Sequence, residues 1–143
     1  MIVVSKCLFG YNCKYNGGNN DNDEVKKYCE GKDVILVCPE QAGDLPTPRV
    51  PSEIQPDGRV LSRDGQDLSE EFSLGVQREI SRVLGENKAI EEAILKANSP
   101  SCGVGQVYDG TFTGKLVPGN GKFAEELMKY CSKIYTEKEL NND

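Results

Sequence analysis

The sequence predicts an open α/β fold with a mostly parallel sheet flanked by helices, all in one domain spanning residues 1–143. Three observations predict it. Short apolar, β-branched runs (Ile2-Val3-Val4, Val34-Ile35-Leu36-Val37, Ala93-Ile94-Leu95) alternate with helical periodicity. Val34 to Val37 is a continuous apolar run, typical of a strand covered on both faces. No internal repeat or low-complexity tract competes with that alternation.

In chain order, Ile2-Val3-Val4 predicts a first strand that ends at Cys7, and a turn-rich stretch from Gly10 to Asn22 follows, with Asn16-Gly17-Gly18 suited to positive φ. Asp23 is placed to cap a helix through Val25, Tyr28 and Cys29 that ends at Gly31. Val34 to Val37 follows as the doubly covered strand. It stops at Cys38-Pro39, because proline cannot donate to a central ladder. Residues 39–58 carry Pro39, Pro46, Pro48, Pro51 and Pro56 and predict an extended, rigid segment. Arg59 to Gly65 suits a small hairpin around Asp64-Gly65. A helix begins at Ser69, and Phe72, Val76, Ile80, Val83 and Leu84 recur at helical spacing until Gly85-Glu86-Asn87. Ala89 to Leu95 has the charge content of a helix, but the preceding helix has only just ended, so Ala93 to Ala97 is read as a strand ending before Ser99-Pro100-Ser101-Cys102-Gly103, and a glycine-rich loop runs from Gly103 to Gly121. A last helix over about Phe123 to Cys131 puts Phe123, Leu127 and Tyr130 on one face, and Ile134-Tyr135 reads as an edge strand.

Composition restricts the chemistry. A domain of 143 residues removes roughly two-thirds of its unfolded surface from water, enough for a core without staples. Hydrophobic residues make up 37% and charged residues 28%, too apolar for a disordered chain. Lys plus Arg is 17 against Asp plus Glu 23, and the resulting charge of −6 argues against binding nucleic-acid polymers or anionic membranes. There is no histidine, which removes Ser-His and Cys-His nucleophiles and every His-containing metal site. The N-terminus lacks the pattern of a signal peptide, and no apolar run approaches the ~18 residues of a membrane span, so a cytoplasmic protein is expected. In that compartment thiols stay reduced, and six cysteines suggest metal or redox use rather than three disulfides.

Cys7, Cys38 and Cys102 each follow a predicted strand, directly or across a short loop. In an open parallel sheet such positions meet at the ligand-binding edge. Cys29 and Cys131 fall in amphipathic helices, where a reduced cysteine is ordinarily a small core residue. Cys13 sits in the loop after the first strand. No C-x-x-C pair is present, so a four-cysteine zinc site lacks its usual spacing, whereas a cubane iron–sulfur cluster accepts thiolates from anywhere in the chain. Three core cysteines at strand ends stand as the alternative. Gly103-Val104-Gly105 lacks the third glycine of a dinucleotide loop, and Gly114-Lys115 and Gly121-Lys122 lack the rest of a P-loop.

Four separated motifs carry a resemblance. Cys7-Leu8-x-Gly10-x-x-Cys13-x-Tyr15-Asn16-Gly17-Gly18, Val37-Cys38-Pro39-Glu40, Gly43-x-Leu45-Pro46-Thr47-Pro48-Arg49 and Leu95-Lys96-x-x-Ser99-Pro100-Ser101-Cys102-Gly103 resemble a small iron–sulfur desulfidase family that includes 2-thiouracil desulfidases. Tyr108-Asp109-Gly110-Thr111-Phe112 and Val117-Pro118-Gly119-Asn120-Gly121 extend the match over essentially the whole chain. The resemblance implies a Rossmann-like fold holding a [4Fe-4S] cluster through Cys7, Cys38 and Cys102. It further implies desulfuration of a small thiolated base or nucleotide, whose thiocarbonyl sulfur takes the fourth iron. Sulfur is a soft donor, so such an iron selects C=S over the C=O of the product. Water must then be activated by a carboxylate, and Glu40, two residues after Cys38, is the first choice, with a partner for Arg49 or Lys96 as its structural alternative. Ser101 is expected to donate a hydrogen bond to substrate or cluster, and Ser5, Asn16 and Ser99 are further candidates for contact with substrate. Arg49 suits an anionic part of a substrate, or a strand terminus. A zinc-stabilised binding module, or a sulfur- or electron-transfer protein with Cys13 as fourth ligand, is the competing class.

Overall fold

The structure is a computed structural model and describes residues 1–140. Four parallel strands, β1 (Ile2–Ser5), β2 (Val34–Val37), β5 (Glu92–Leu95) and β8 (Ile134–Thr136), form one sheet in the order β2-β1-β5-β8. The register pairs Val3 with Ile35 on one side and Ala93 on the other. Every residue of β1 and β5 is buried, as the central strands of a sheet covered on both faces must be. β2 lies at the edge, but its apolar run still serves two faces. Ile35 and Val37 pack with Val76, Ile80 and Phe123, while Val34 and Leu36 pack with Val25 and Leu8.

Helices α3 (Ser69–Leu84) and α4 (Lys122–Leu127) cover the first of these faces. The short helices α1 (Asp23–Tyr28) and α5 (Glu137–Leu140) lie on the other. Burying side chains such as Phe123, Leu127, Ile94 and Val25 completely is worth about 1.5–3 kcal/mol each. Because β1 leads outward to β2 while β5 leads outward to β8, the direction of winding reverses between β1 and β5. A crevice therefore opens beyond their carboxyl ends.

Several expectations change in detail. Asn22, not Asp23, caps α1, its Oδ1 accepting from Val25 N at 3.0 Å. The segment expected to be extended from Pro39 starts with a helical turn instead, α2 (Pro39–Ala42), with Pro39 at the first position, where its missing N–H costs no bond. Its later part pairs: β3 (Ser52–Ile54) runs antiparallel to β4 (Val60–Ser62) around a turn at Gln55–Arg59. The expected turn at Asp64-Gly65 also forms, with Gly65 N donating to Ser62 O, and it closes a bridge between Leu61 and Asp67. The stretch from Gly103 to Gly121 contains a second hairpin, β6 (Gln106–Tyr108) with β7 (Leu116–Pro118). Triplets with one valine each, Gln106-Val107-Tyr108 and Leu116-Val117-Pro118, are a weak signal, and pairing across the hairpin, rather than periodicity, stabilises them. Leu84 and Tyr130 are exposed, Tyr130 by 46%, because α4 ends three residues before it. Cys29 and Cys131 lie just beyond their helices and are buried, which agrees with the core reading.

Candidate metal centre and catalytic cleft

Three separate devices bring the cysteines to the crevice. After β1 the chain enters a turn of 3-10 helix, Lys6–Phe9, whose end at Gly10 has φ 85°, a left-handed value that glycine adopts without strain. Asn20 folds back onto this turn. Its backbone N donates to Cys7 O at 3.0 Å and its side-chain Nδ2 to Cys7 Sγ at 3.4 Å. Cys38 is held from behind, since its N–H donates at 2.8 Å to the buried carboxylate of Glu79 on α3, itself paired with Arg82 at 2.9 Å. The loop carrying Cys102 is tied by Gly103 N to Ser99 O at 2.8 Å and by Phe123 N to Ser101 O at 2.9 Å. The start of α4 approaches that loop closely: a Cβ on Gly121 would stand 2.4 Å from Ser101 C.

Cys7, Cys38 and Cys102 line one cleft of about 430 Å³ together with Cys13, Glu40, Arg49, Lys96, Ser99 and Ser101. All six cysteines of the chain are free thiols. A larger cavity of about 570 Å³, between α3 and the β3–β4 hairpin, contains no cysteine. Among the described residues, no three Cys, His, Asp or Glu side chains converge on a single metal ion. A multi-iron cluster takes its thiolates on different irons, so ligands for it need only line a common space, as these cysteines do.

The four thiols differ in acidity. A hydrogen bond from Cys13 lowers Cys7 to about 7 against the opposing effect of burial, with help from Asn20 and the Lys96 ammonium. Cys38 is lowered for the same first reason. Cys13, whose single S–H serves either of these neighbours, is pushed up. Burial pushes Cys102 up to about 12, although hydrogen bonds from Ser5 and Ser101 oppose it.

Glu40 sits in α2, and α2 is seated against α3 by a contact between two glycines. A Cβ on Gly75 would come within 1.8 Å of Pro39 O, and one on Gly43 within 2.0 Å of Glu71 O. The Glu40 carboxylate faces the cleft, with Oε1 accepting from Arg49 Nε at 3.2 Å and Oε2 from Ser101 Oγ at 2.9 Å. Ser101 Oγ is also 3.7 Å from Cys102 Sγ. Glu40, Ser101 and Cys102 are thus contiguous.

The remaining candidates take other places. The partner of Glu40 is Arg49, whereas Lys96 pairs with Glu137 at 3.0 Å. The Arg49 guanidinium is engaged by the protein on every side, donating also to Pro46 O, Thr47 Oγ1 and Cys13 O. It clamps the Cys13 loop to the proline segment. Ser5 Oγ accepts from Lys96 N at 2.9 Å and is buried beside Cys102. Ser99 lines the cleft, but its hydroxyl is bound within its own loop. Asn16 does not line the cleft, and its Oδ1 accepts from Gly18 N in an exposed turn.

Sequence reasoning missed Asn20, which nothing distinguishes from Asn19 and Asn22. It also missed the wall formed by Tyr108 and Phe112. Glu53 on β3 fixes that wall, its Oε1 accepting from Gly110 N at 2.9 Å and Phe112 N at 3.1 Å. No helix among the described residues is long and apolar enough to cross a membrane.

An uncharacterized Bacillus subtilis (strain 168) protein, YbbK, is 34% identical over 151 residues, spanning 99% of both chains. A solved structure described as the [4Fe-4S]-dependent thiouracil desulfidase TudS is 35% identical, with a TM-score of 0.86 over 99% of this chain and 93% of that one. The family model described as 2-thiouracil desulfurase matches residues 2–139. The chain belongs to the 2-thiouracil desulfurase family.

Proposed function

We propose that this protein is a [4Fe-4S]-dependent desulfidase that converts a small thiocarbonyl compound, first of all a thiopyrimidine such as 2-thiouracil, into its oxo form. In this reading Cys7, Cys38 and Cys102 hold the cluster, and Glu40 and Ser101 act on water and substrate. One observation carries the proposal: three free thiols from three strand ends share a cleft with a carboxylate and a hydroxyl bonded to each other.

The residues suit the group. The donor set is all thiol, which favours iron–sulfur chemistry over hard cations. Asn20 and Ser101 supply donors to the sulfurs of Cys7 and Cys102, the kind of outer hydrogen bonding that orients ligands. The cysteine spacing, with no C-x-x-C pair, gives no support to the zinc-module alternative. When bound, the cluster supplies a soft Lewis acid at an iron without cysteine, which suits a thiocarbonyl sulfur better than oxygen.

The protein groups carry out the rest. Glu40 accepts a proton from the attacking water at its carboxylate, and Arg49 fixes the orientation of that carboxylate. Ser101 stands between Glu40 and the sulfur side of the site and places a hydroxyl proton within reach of either. Tyr108 and Phe112 present aromatic surface along one wall, fitting for a planar ring. The reaction balances without an oxidant: water adds oxygen to carbon, the C–S bond breaks, and both water protons end on sulfide. No histidine is required.

The test is anaerobic reconstitution followed by incubation with 2-thiouracil. Uracil and sulfide should appear in equal amounts over many turnovers. A protein with an intact cluster that releases no sulfide from any thiopyrimidine would overturn the reading. A colourless folded protein carrying one zinc would point to the binding-module alternative.

A further inference from the structure

The Ser99 hydroxyl has a hydrogen-bond pattern that fixes the direction of the protons around it. Its oxygen accepts from Ser101 N at 3.1 Å and from Cys102 N at 3.0 Å, so both lone pairs are engaged. Ser101 Oγ lies 3.0 Å away. Since the Ser99 oxygen has no lone pair left to accept from Ser101, the hydrogen between the two hydroxyls belongs to Ser99. The Ser101 hydrogen is then directed away from Ser99, where its two acceptors are Glu40 Oε2 at 2.9 Å and Cys102 Sγ at 3.7 Å. The shorter bond to a carboxylate is the stronger one.

We propose that Ser99 is a positioning residue: by accepting both loop N–H groups it directs its own proton onto Ser101 and the Ser101 proton onto Glu40, forming a one-way hydroxyl chain into the cleft. This rests on the desulfidase reading, in which Glu40 and Ser101 act on water and substrate. With Ser99 donating permanently, Ser101 cannot turn backward into its own loop. The Ser101 proton is thereby kept between Glu40 and the Cys102 side of the cleft. Ser99 touches neither water nor sulfide in this scheme. Its contribution is the orientation of its neighbour.

Two measurements test this. In a neutron structure of deuterium-exchanged holoenzyme crystals, the Ser99 deuteron should point to Ser101 Oγ and the Ser101 deuteron to Glu40 Oε2. A Ser101 deuteron pointing at Ser99 overturns the proposal, whatever the activity. Kinetically, Ser99→Ala should keep the wild-type iron and sulfide content and a KM for 2-thiouracil within about twofold, while kcat per cluster falls about tenfold or more. Ser99→Thr retains the hydroxyl and should restore kcat to within about threefold. A Ser99→Ala kcat equal to wild type contradicts the proposal. So does a loss explained entirely by lower cluster content, or a failure of Ser99→Thr to rescue. Failure of the desulfidase reading is seen separately, as wild-type holoenzyme that releases no sulfide, and the deuteron positions still decide the direction of the chain.

Discussion

Glu40 is held at two oxygens by two different partners, and this double attachment sets what its substitution should do. Arg49 binds Oε1 and Ser101 binds Oε2. Glu40→Gln keeps the volume and an acceptor oxygen but removes the base. Sulfide release from 2-thiouracil should fall about a hundredfold or more, while iron content stays at the wild-type level. A Glu40→Gln enzyme with near-wild-type turnover would move the base elsewhere. At this scale the sequence was informative where a residue follows a strand: Cys7, Cys38 and Cys102 could be placed from strand ends alone. It was uninformative where a loop chooses among equivalent side chains. Asn20 reaches Cys7 Sγ, while Asn16, in the same asparagine-rich stretch, closes a turn instead. Arg49 looked suited to an anionic ligand but is engaged on all sides by Glu40, Pro46, Thr47 and Cys13. A sequence gives the chemistry of a guanidinium and not its neighbours.

Elements position the site through contacts that periodicity does not encode. α3 was readable from its apolar spacing, and β1, β2, β5 and β8 from short strand-like runs. α2 was not, since four residues beginning with proline carry no period, and its helical state comes from docking on α3 through Gly43 and Gly75. The same α3 supplies Glu79 to the Cys38 N–H, so one helix sets both a candidate ligand and the candidate base. Gly75→Ala places a methyl carbon 1.8 Å from Pro39 O, a backbone atom that cannot step aside alone. The variant should lose about 2 kcal/mol or more of stability in urea unfolding, and its turnover should fall because α2 is displaced with Glu40. Wild-type stability and turnover in Gly75→Ala would show that the close approach of the helices is not needed.

For the whole molecule, the sheet separates chemistry from anchorage. The cleft lies beyond the carboxyl ends of β1 and β5, and a buried carboxylate, Glu92, begins β5 at the opposite end. Burial works to raise the Glu92 pKa, but hydroxyl donors from Tyr135 and Tyr28, with the Lys133 ammonium, bring it below the ordinary 4.5. A carboxylate whose pKa is depressed by folding contributes stability above its unfolded pKa and loses it as pH falls through the folded one. Stability should therefore be complete near neutrality and decline below about pH 4.5. Glu92→Gln should be less stable at pH 7 and show a shallower acid decline, read from denaturation midpoints at pH 7 and pH 3.5. Equal slopes for variant and wild type would remove Glu92 from the account of acid sensitivity.

The central claim is that three of the four cleft cysteines hold the cluster and the fourth does not. Cys13 is the sharpest control, because its thiol adjoins both Cys7 and Cys38 and lines the same cleft. The most direct measurement is iron and acid-labile sulfide per chain after anaerobic reconstitution of wild type and the four single Cys→Ala variants. Wild type and Cys13→Ala should each hold about four irons, while Cys7→Ala, Cys38→Ala and Cys102→Ala should lose the cluster. A full cluster in any of those three variants, or its loss in Cys13→Ala alone, would contradict the assignment.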